Sequence, residues 1–209
     1  MVLLPSSDSG NRSAAGWGRR LADGLTVARA VIGLPLLLAL SQGWLALGWV
    51  LLLLGGLSDA ADGWLARRSG GGSVWGARLD PLTDKILISA PLLWLGAGQH
   101  PDLVGLPLWA VWLLLARELL ISGWRAGQGN GGPASKAGKA KTILQFLALL
   151  LLLWPPTWGG ALAEPLHRLG FWLFWPSLWL ALSSALGYLR ASSSTASPRV
   201  SGSEGGRRA

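Results

Sequence analysis

The chain has 209 residues, 51% of them hydrophobic, with a formal net charge of +8, 14 tryptophans against one tyrosine, and no cysteine. The lack of cysteine excludes disulfides, thiolate metal sites and a cysteine nucleophile. A mean hydropathy of +0.42 and apolar runs recurring along most of the length indicate an integral membrane protein, not a water-soluble globule.

In chain order, residues 1–10 read as disordered. Residues 11–23 carry Arg12, Trp17, Arg19, Arg20 and Leu21 and read as a short amphipathic helix on the inner leaflet. This start is polar and Gly/Ser-rich, so no cleavable signal peptide is expected. Six candidate spans follow, at residues 25–41, 44–57, 82–97, 103–121, 143–154 and 171–189. They make residues 24–190 an all-α, six-helix, polytopic membrane domain, followed by a Ser/Gly-rich, disordered cytoplasmic tail at 191–209. Several apolar cores fall short of the ~20 residues that a crossing needs, so the helices are expected to extend past them with polar ends in the cytosol.

Charge then sets orientation. With six helices, the basic residues from Arg12 to Arg29, Arg67 to Lys85, Arg117 to Lys141 and Arg190 to Arg208 all fall on one side, and only Arg168 falls on the other. The positive-inside rule makes that side, with both termini, cytoplasmic, in the cell inner (plasma) membrane. Basic residues divided among membrane-flanking loops also speak against a nucleic-acid partner. Trp44, Trp94, Trp154 and Trp158 lie near the outer ends and Trp17, Trp64, Trp75 and Trp124 near the inner ends, the pattern of an interfacial aromatic belt; base stacking by Trp64 is a minority alternative. His100 and His167 are placed in short loops far from the acidic residues, which argues against zinc.

The most informative stretch holds four aspartates. Asp59 and Asp62 are three residues apart; Asp80 and Asp84 are four apart. Each pair shares one helical face, and two such faces turned together make an all-oxygen box suited to Mg²⁺ or Mn²⁺. Carboxylates at a membrane boundary are expensive, so solvated loop acids kept at these spacings are a poor explanation. The Gly-rich run at 69–73 reads as a turn joining the two pairs.

Asp59, Asp62, Gly63, Ala66, Arg67, Gly76, Asp80 and Asp84 match D-x2-D-G-x2-A-R-x8-G-x3-D-x3-D without a gap. This pattern resembles the CDP-alcohol phosphatidyltransferase family. The resemblance implies that family's helical membrane fold, a homodimer, and two divalent cations. It implies Asp59, Asp62, Asp80 and Asp84 as metal ligands, with Asp84 also the base for the acceptor hydroxyl. The remaining motif positions suit a CDP-linked lipid: Arg67 can bind a phosphate, while Gly63 and Ala66 let the nucleotide approach beside Asp62. Gly76 is expected to let the two motif helices pack closely.

Three further segments bear on the acceptor. Leu25-Thr26-x2-Arg29 is similar to the start of the first helix in the phosphatidylglycerophosphate synthases of that family. Arg20 and Ala22 stand where an Asn and a Pro are usual there. Thr26 and Arg29 could face the nucleotide, or Arg29 could snorkel to the interface. Ala116-Arg117-Glu118-x3-Ser122-x2-Arg125 and Gly138-Lys139-x-Lys141-Thr142-x2-Gln145 resemble two more segments of those synthases. Glu118, Ser122 and Arg125 share a helical face. Arg117, Arg125, Lys139 and Lys141, with a helix N-terminus, could cradle the phosphate of an acceptor. Arg117–Glu118 as a structural ion pair and the lysines as topology anchors stay open beside that reading.

The resemblance therefore implies transfer of the phosphatidyl group from CDP-diacylglycerol to glycerol 3-phosphate, giving phosphatidylglycerophosphate and CMP in phospholipid biosynthesis. Alternatives are phosphatidylglycerol (cardiolipin synthesis) or inositol phosphate as acceptor, a degenerate non-catalytic member, and, remotely, a divalent-cation carrier. A carrier would place its acids along a midplane path, and these cluster at one end.

Overall fold

The structure, a computed structural model, describes residues 24, 27–29, 31–68, 74–98, 100–127 and 136–195. The described residues are helical with short connections and contain no strand. After a helical turn at 27–29, α1 covers residues 31–41. Then come α2 (Leu45–Arg68), α3 (Val74–Gly96), α4 (Leu108–Gly127), α5 (Lys136–Leu152), the short α6 (Pro156–Gly159), a 3₁₀ turn (Gly160–Leu162) and α7 (Ala163–Thr195).

The helices run past their apolar cores, as their polar ends require. α2 continues through Asp59 and Asp62 to Arg68, and α3 begins at Val74, well ahead of its apolar stretch. The fourth helix starts at Leu108, not at 103. Pro107 disfavours helical backbone at the residue before it, and the Leu106 N–H instead donates to the Leu95 carbonyl at 3.2 Å. α7 extends to Thr195, past the point where the sequence suggests the tail begins.

His167 is also placed differently from the sequence expectation. It lies inside α7, almost fully buried, with Nε2 2.8 Å from the Trp154 carbonyl. Pro165 in the first turn of α7 does not interrupt the helix, because N–H groups there have no intrahelical partner to lose.

The helices meet around Leu36, Leu40, Leu52, Leu92, Leu114, Leu149 and Phe174, each essentially inaccessible to solvent. α5 and α7 form the most extensive contact. Gly170 makes it possible: a Cβ there would lie 2.8 Å from the Leu152 nitrogen and 2.9 Å from the Ala148 oxygen, both backbone atoms.

Long-range contacts define two ends. Arg29, early among the described helical residues, meets Asp59 late in α2, while late in α4 Arg117 meets α7 and Glu118 meets α5. At the opposite end Trp49, Trp154 and Trp158 stack edge to face, with centroids 5.4–6.0 Å apart. There the Trp49 indole donates to the Leu150 carbonyl at 2.8 Å. With Leu153 N on Leu149 O and Trp154 N on Leu151 O, this satisfies carbonyls that the end of α5 leaves without a helical partner.

Among the described residues, one stretch, Pro156–Leu186, is long and apolar enough to cross a membrane by length and composition. Shorter apolar helices occur at Val27–Ser41, Leu45–Ala61, Lys85–Gly96 and Ala140–Leu152. The charges that α2 to α5 carry at one end shorten their apolar portions, which is why length alone does not return the six spans expected from the sequence.

Candidate active site

The first constellation is built on α2. Asp59 lies near the cytoplasm-side end proposed from charge and is half exposed, while Arg29 opposite it is fully buried. Arg29 Nη1 donates to Asp59 Oδ1 at 2.8 Å. Arg29 therefore does not snorkel; it turns inward onto the first residue of the aspartate motif. A charge-assisted pair between a buried guanidinium and a partly solvated carboxylate holds the carboxylate in place.

Asp62, Gly63, Ala66 and Arg67 continue along helical α2, and Gly76, Asp80 and Asp84 lie in α3. The helical backbone realises both spacings, so the members of each pair fall on a common face of their helix. Thr26 and the side chains of Asp62, Arg67, Asp80, Asp84, Arg125 and Lys139 lie outside the described residues, as do the 69–73 turn and the 11–23 segment. Among the described residues no group of three or more potential metal ligands is gathered.

Next to Arg29 and Asp59 opens a crevice of about 340 Å³, with Leu87, Phe146, Leu147 and Leu150 along its length. Its wall is almost wholly apolar apart from Arg29, Asp59 and Thr142. Gly56 faces the ring of Phe146 so closely that a Cβ would stand 2.1 Å from its Cζ. The site thus pairs a polar head at one end with an apolar channel.

The second constellation joins three helices. Arg117 Nη1 donates to Glu118 Oε1 at 2.7 Å, Nε to the Ala181 carbonyl at 2.9 Å, and Nη2 to Ser184 Oγ at 2.7 Å. Lys141 of α5 donates to the same Glu118 oxygen. The Lys141 side chain is buried, and those of Arg117 and Glu118 are mostly so, at 9% and 17% exposed. Two cations share one carboxylate, so the cluster keeps a net positive charge in a poorly solvated place. That excess favours a further anion.

Both constellations lean on α5. Lys141 reaches Glu118, whereas Thr142, Ile143 and Phe146 line the crevice beside Asp59. The sequence pointed to Arg117, Glu118 and Lys141 but not to their union through one carboxylate. It gave no weight to Ser184 or the Ala181 carbonyl, because a serine in an apolar helix usually bonds its own helix's carbonyls.

A helical protein with paired acids, a buried basic cluster and an apolar crevice at one end is suited to a substrate with an anionic head and a lipid tail. The chain belongs to the CDP-alcohol phosphatidyltransferase family, whose family model matches residues 19–183. It is 36% identical over 155 residues to a "Probable phosphatidylglycerophosphate synthase" of Mycobacterium tuberculosis, covering 70% of this chain and 69% of that protein. It is also 36% identical over 141 residues to the "CDP-diacylglycerol--glycerol-3-phosphate 3-phosphatidyltransferase" of Shigella flexneri, covering 65% and 72% respectively. The Salmonella typhimurium protein of the same name is similar to the same degree.

Proposed function

We propose that the protein transfers the phosphatidyl group of CDP-diacylglycerol to glycerol 3-phosphate, releasing phosphatidylglycerophosphate and CMP. The observation that carries this reading is the ungapped eight-position aspartate motif on α2 and α3, in a chain whose relatives bear the names of that reaction. Six helices cross the plasma membrane, with both termini and the active site on the cytoplasmic side, and the protein works as a homodimer. The exposure of Leu34, Trp112, Trp172 and Trp179, each more than 60% accessible, supports lipid-facing helix surfaces. The one basic residue assigned to the outer side, Arg168, is tied to Glu164 at 2.6 Å.

Asp59, Asp62, Asp80 and Asp84 fit two hard divalent cations by donor chemistry, since all four offer carboxylate oxygens from two helices. Bound Mg²⁺ or Mn²⁺ would supply charge neutralisation to the pyrophosphate of the donor. Arg67 and Arg29 bind phosphate oxygens, Gly63 and Ala66 make room for the cytidine end, and Asp62 and Thr26 contribute to its binding. The apolar crevice takes an acyl chain. Arg117, Arg125, Lys139 and Lys141 hold the phosphate of glycerol 3-phosphate and aim its free terminal hydroxyl at the phosphatidyl phosphorus.

Asp84 accepts the proton of that hydroxyl as its oxygen bonds to phosphorus. The bond from phosphorus to the bridging oxygen breaks, and CMP leaves with that oxygen. Direct transfer needs no covalent enzyme intermediate.

The test is CMP release by the purified protein with CDP-diacylglycerol and Mg²⁺ or Mn²⁺, across glycerol 3-phosphate, glycerol, inositol phosphate, serine and phosphatidylglycerol. Release with glycerol 3-phosphate alone, abolished by chelator, is the expected result. Release with another acceptor would retain the aspartate chemistry and discard the assigned acceptor.

A further inference from the structure

We propose that Ser184, together with the Ala181 carbonyl, is a positioning residue that sets the guanidinium plane of Arg117 for the acceptor's phosphate. This rests on the reading of Arg117 as an acceptor-phosphate ligand. Ser184 lies one residue beyond the family match, which ends at 183.

Three serines lie in the apolar part of α7. Ser177, Ser183 and Ser184 each donate to the carbonyl three residues earlier, at 2.7, 3.2 and 2.9 Å. This is the ordinary behaviour of a serine inside an apolar helix. Ser184 has a second bond: its oxygen accepts from Arg117 Nη2 at 2.7 Å. Donating its own proton to Ala181 fixes the hydroxyl rotor, so its lone pairs point toward the arginine. The same Ala181 carbonyl accepts from Arg117 Nε.

The guanidinium is therefore held at all three nitrogens, by Ala181, Ser184 and Glu118. A planar group fixed at three corners cannot rotate without breaking several bonds at once. A guanidinium offers more donors than these three bonds use, and the unused ones lie in the same fixed plane. A tetrahedral phosphate met by pre-aimed donors loses less ordering entropy on binding. Glu118 serves charge balance in this arrangement, and Ser184 serves aim.

The experiment compares wild type with Ser184→Ala, Ser184→Cys, Ser184→Thr and Ser183→Ala in the full chain. It reads KM for glycerol 3-phosphate, KM for CDP-diacylglycerol, kcat and thermal stability. Losing a bond to a charged group should raise KM for glycerol 3-phosphate about tenfold in Ser184→Ala, with KM for CDP-diacylglycerol unchanged. Ser184→Cys, nearly the same shape but a weak acceptor, should behave likewise, which keeps the test informative if the alanine variant fails to fold. Ser184→Thr should restore the wild-type value, and Ser183→Ala should not move it. An unchanged KM for glycerol 3-phosphate in Ser184→Ala or Ser184→Cys, or equal rises for both substrates, would overturn the inference while leaving the reaction in place. Wild type that releases no CMP with glycerol 3-phosphate would remove the reading beneath it, and this inference with it.

Discussion

At one end of the bundle Arg117, Glu118 and Lys141 bring charges from α4 and α5 together against α7; at the other, Trp49, Trp154, Trp158 and His167 close α2, α5 and α7 with rings and carbonyl caps. The same helices run through both. The charged end keeps an unbalanced positive charge, and Asp59, though paired with Arg29, is half exposed, so both have room for further partners. At the aromatic end the Leu149, Leu150, Leu151 and Trp154 carbonyls are taken up internally. The closure concerns these carbonyls, since the buried Trp154 indole N–H at the same end has no partner among the described residues; exposed charge marks the one end, and packed rings the other.

The largest effect should come from the end that carries chemistry. Asp84→Asn removes the proposed base and should lower kcat about 10²- to 10⁴-fold, while equilibrium binding of CDP-diacylglycerol partly survives. A near-normal kcat would show that the proton goes elsewhere.

Next in size is Glu118→Gln, which leaves Arg117 and Lys141 buried without their shared anion. Breaking a buried ionic cluster on one side costs about 3–5 kcal/mol. Thermal denaturation in detergent should report this, and excess glycerol 3-phosphate or inorganic phosphate should recover part of it by occupying the vacated role. No recovery would mean that the cluster is structural and does not bind anions.

Gly170→Ala probes the junction between the two ends. Its new methyl would press on backbone atoms of α5, which cannot rotate away as a side chain can. A loss of about 1–3 kcal/mol is expected, with KM for both substrates unchanged at low temperature.

The smallest effect belongs to Trp49→Phe, which keeps most of the ring packing and deletes the bond to Leu150. Such a bond is worth about 0.6 kcal/mol inside a membrane protein. The melting temperature should fall slightly and turnover should hold. A large drop in turnover would erase the proposed division of labour between the ends.

The helical spacings of the candidate site were legible in the sequence because that information is local. The four aspartates declare themselves by spacings of three and four, and α2 and α3 realise those spacings as helix. The helix extensions were legible too, since short apolar cores between charged residues demand them. Pairings across the chain were not. Arg29 meets Asp59 thirty positions away and Lys141 meets Glu118 twenty-three away, and periodicity within one segment is silent about its neighbours. His167 was misplaced because the sixth span follows the apolar run from 171, whereas α7 begins at Ala163 with a proline that its first turn tolerates. Ser184 carried no signal, because its second bond depends on an arginine from another helix.

Lys141 and Thr142 are consecutive on α5, yet one faces the Glu118 cluster and the other the crevice beside Asp59. The helix that bears them is locked to α7 by backbone contact at Gly170. A turn of α5 about its axis would therefore displace both walls together. Two ligands seated on the two sides of one such wall are thermodynamically linked: whatever factor the donor lends to the acceptor's affinity, the acceptor must return to the donor's.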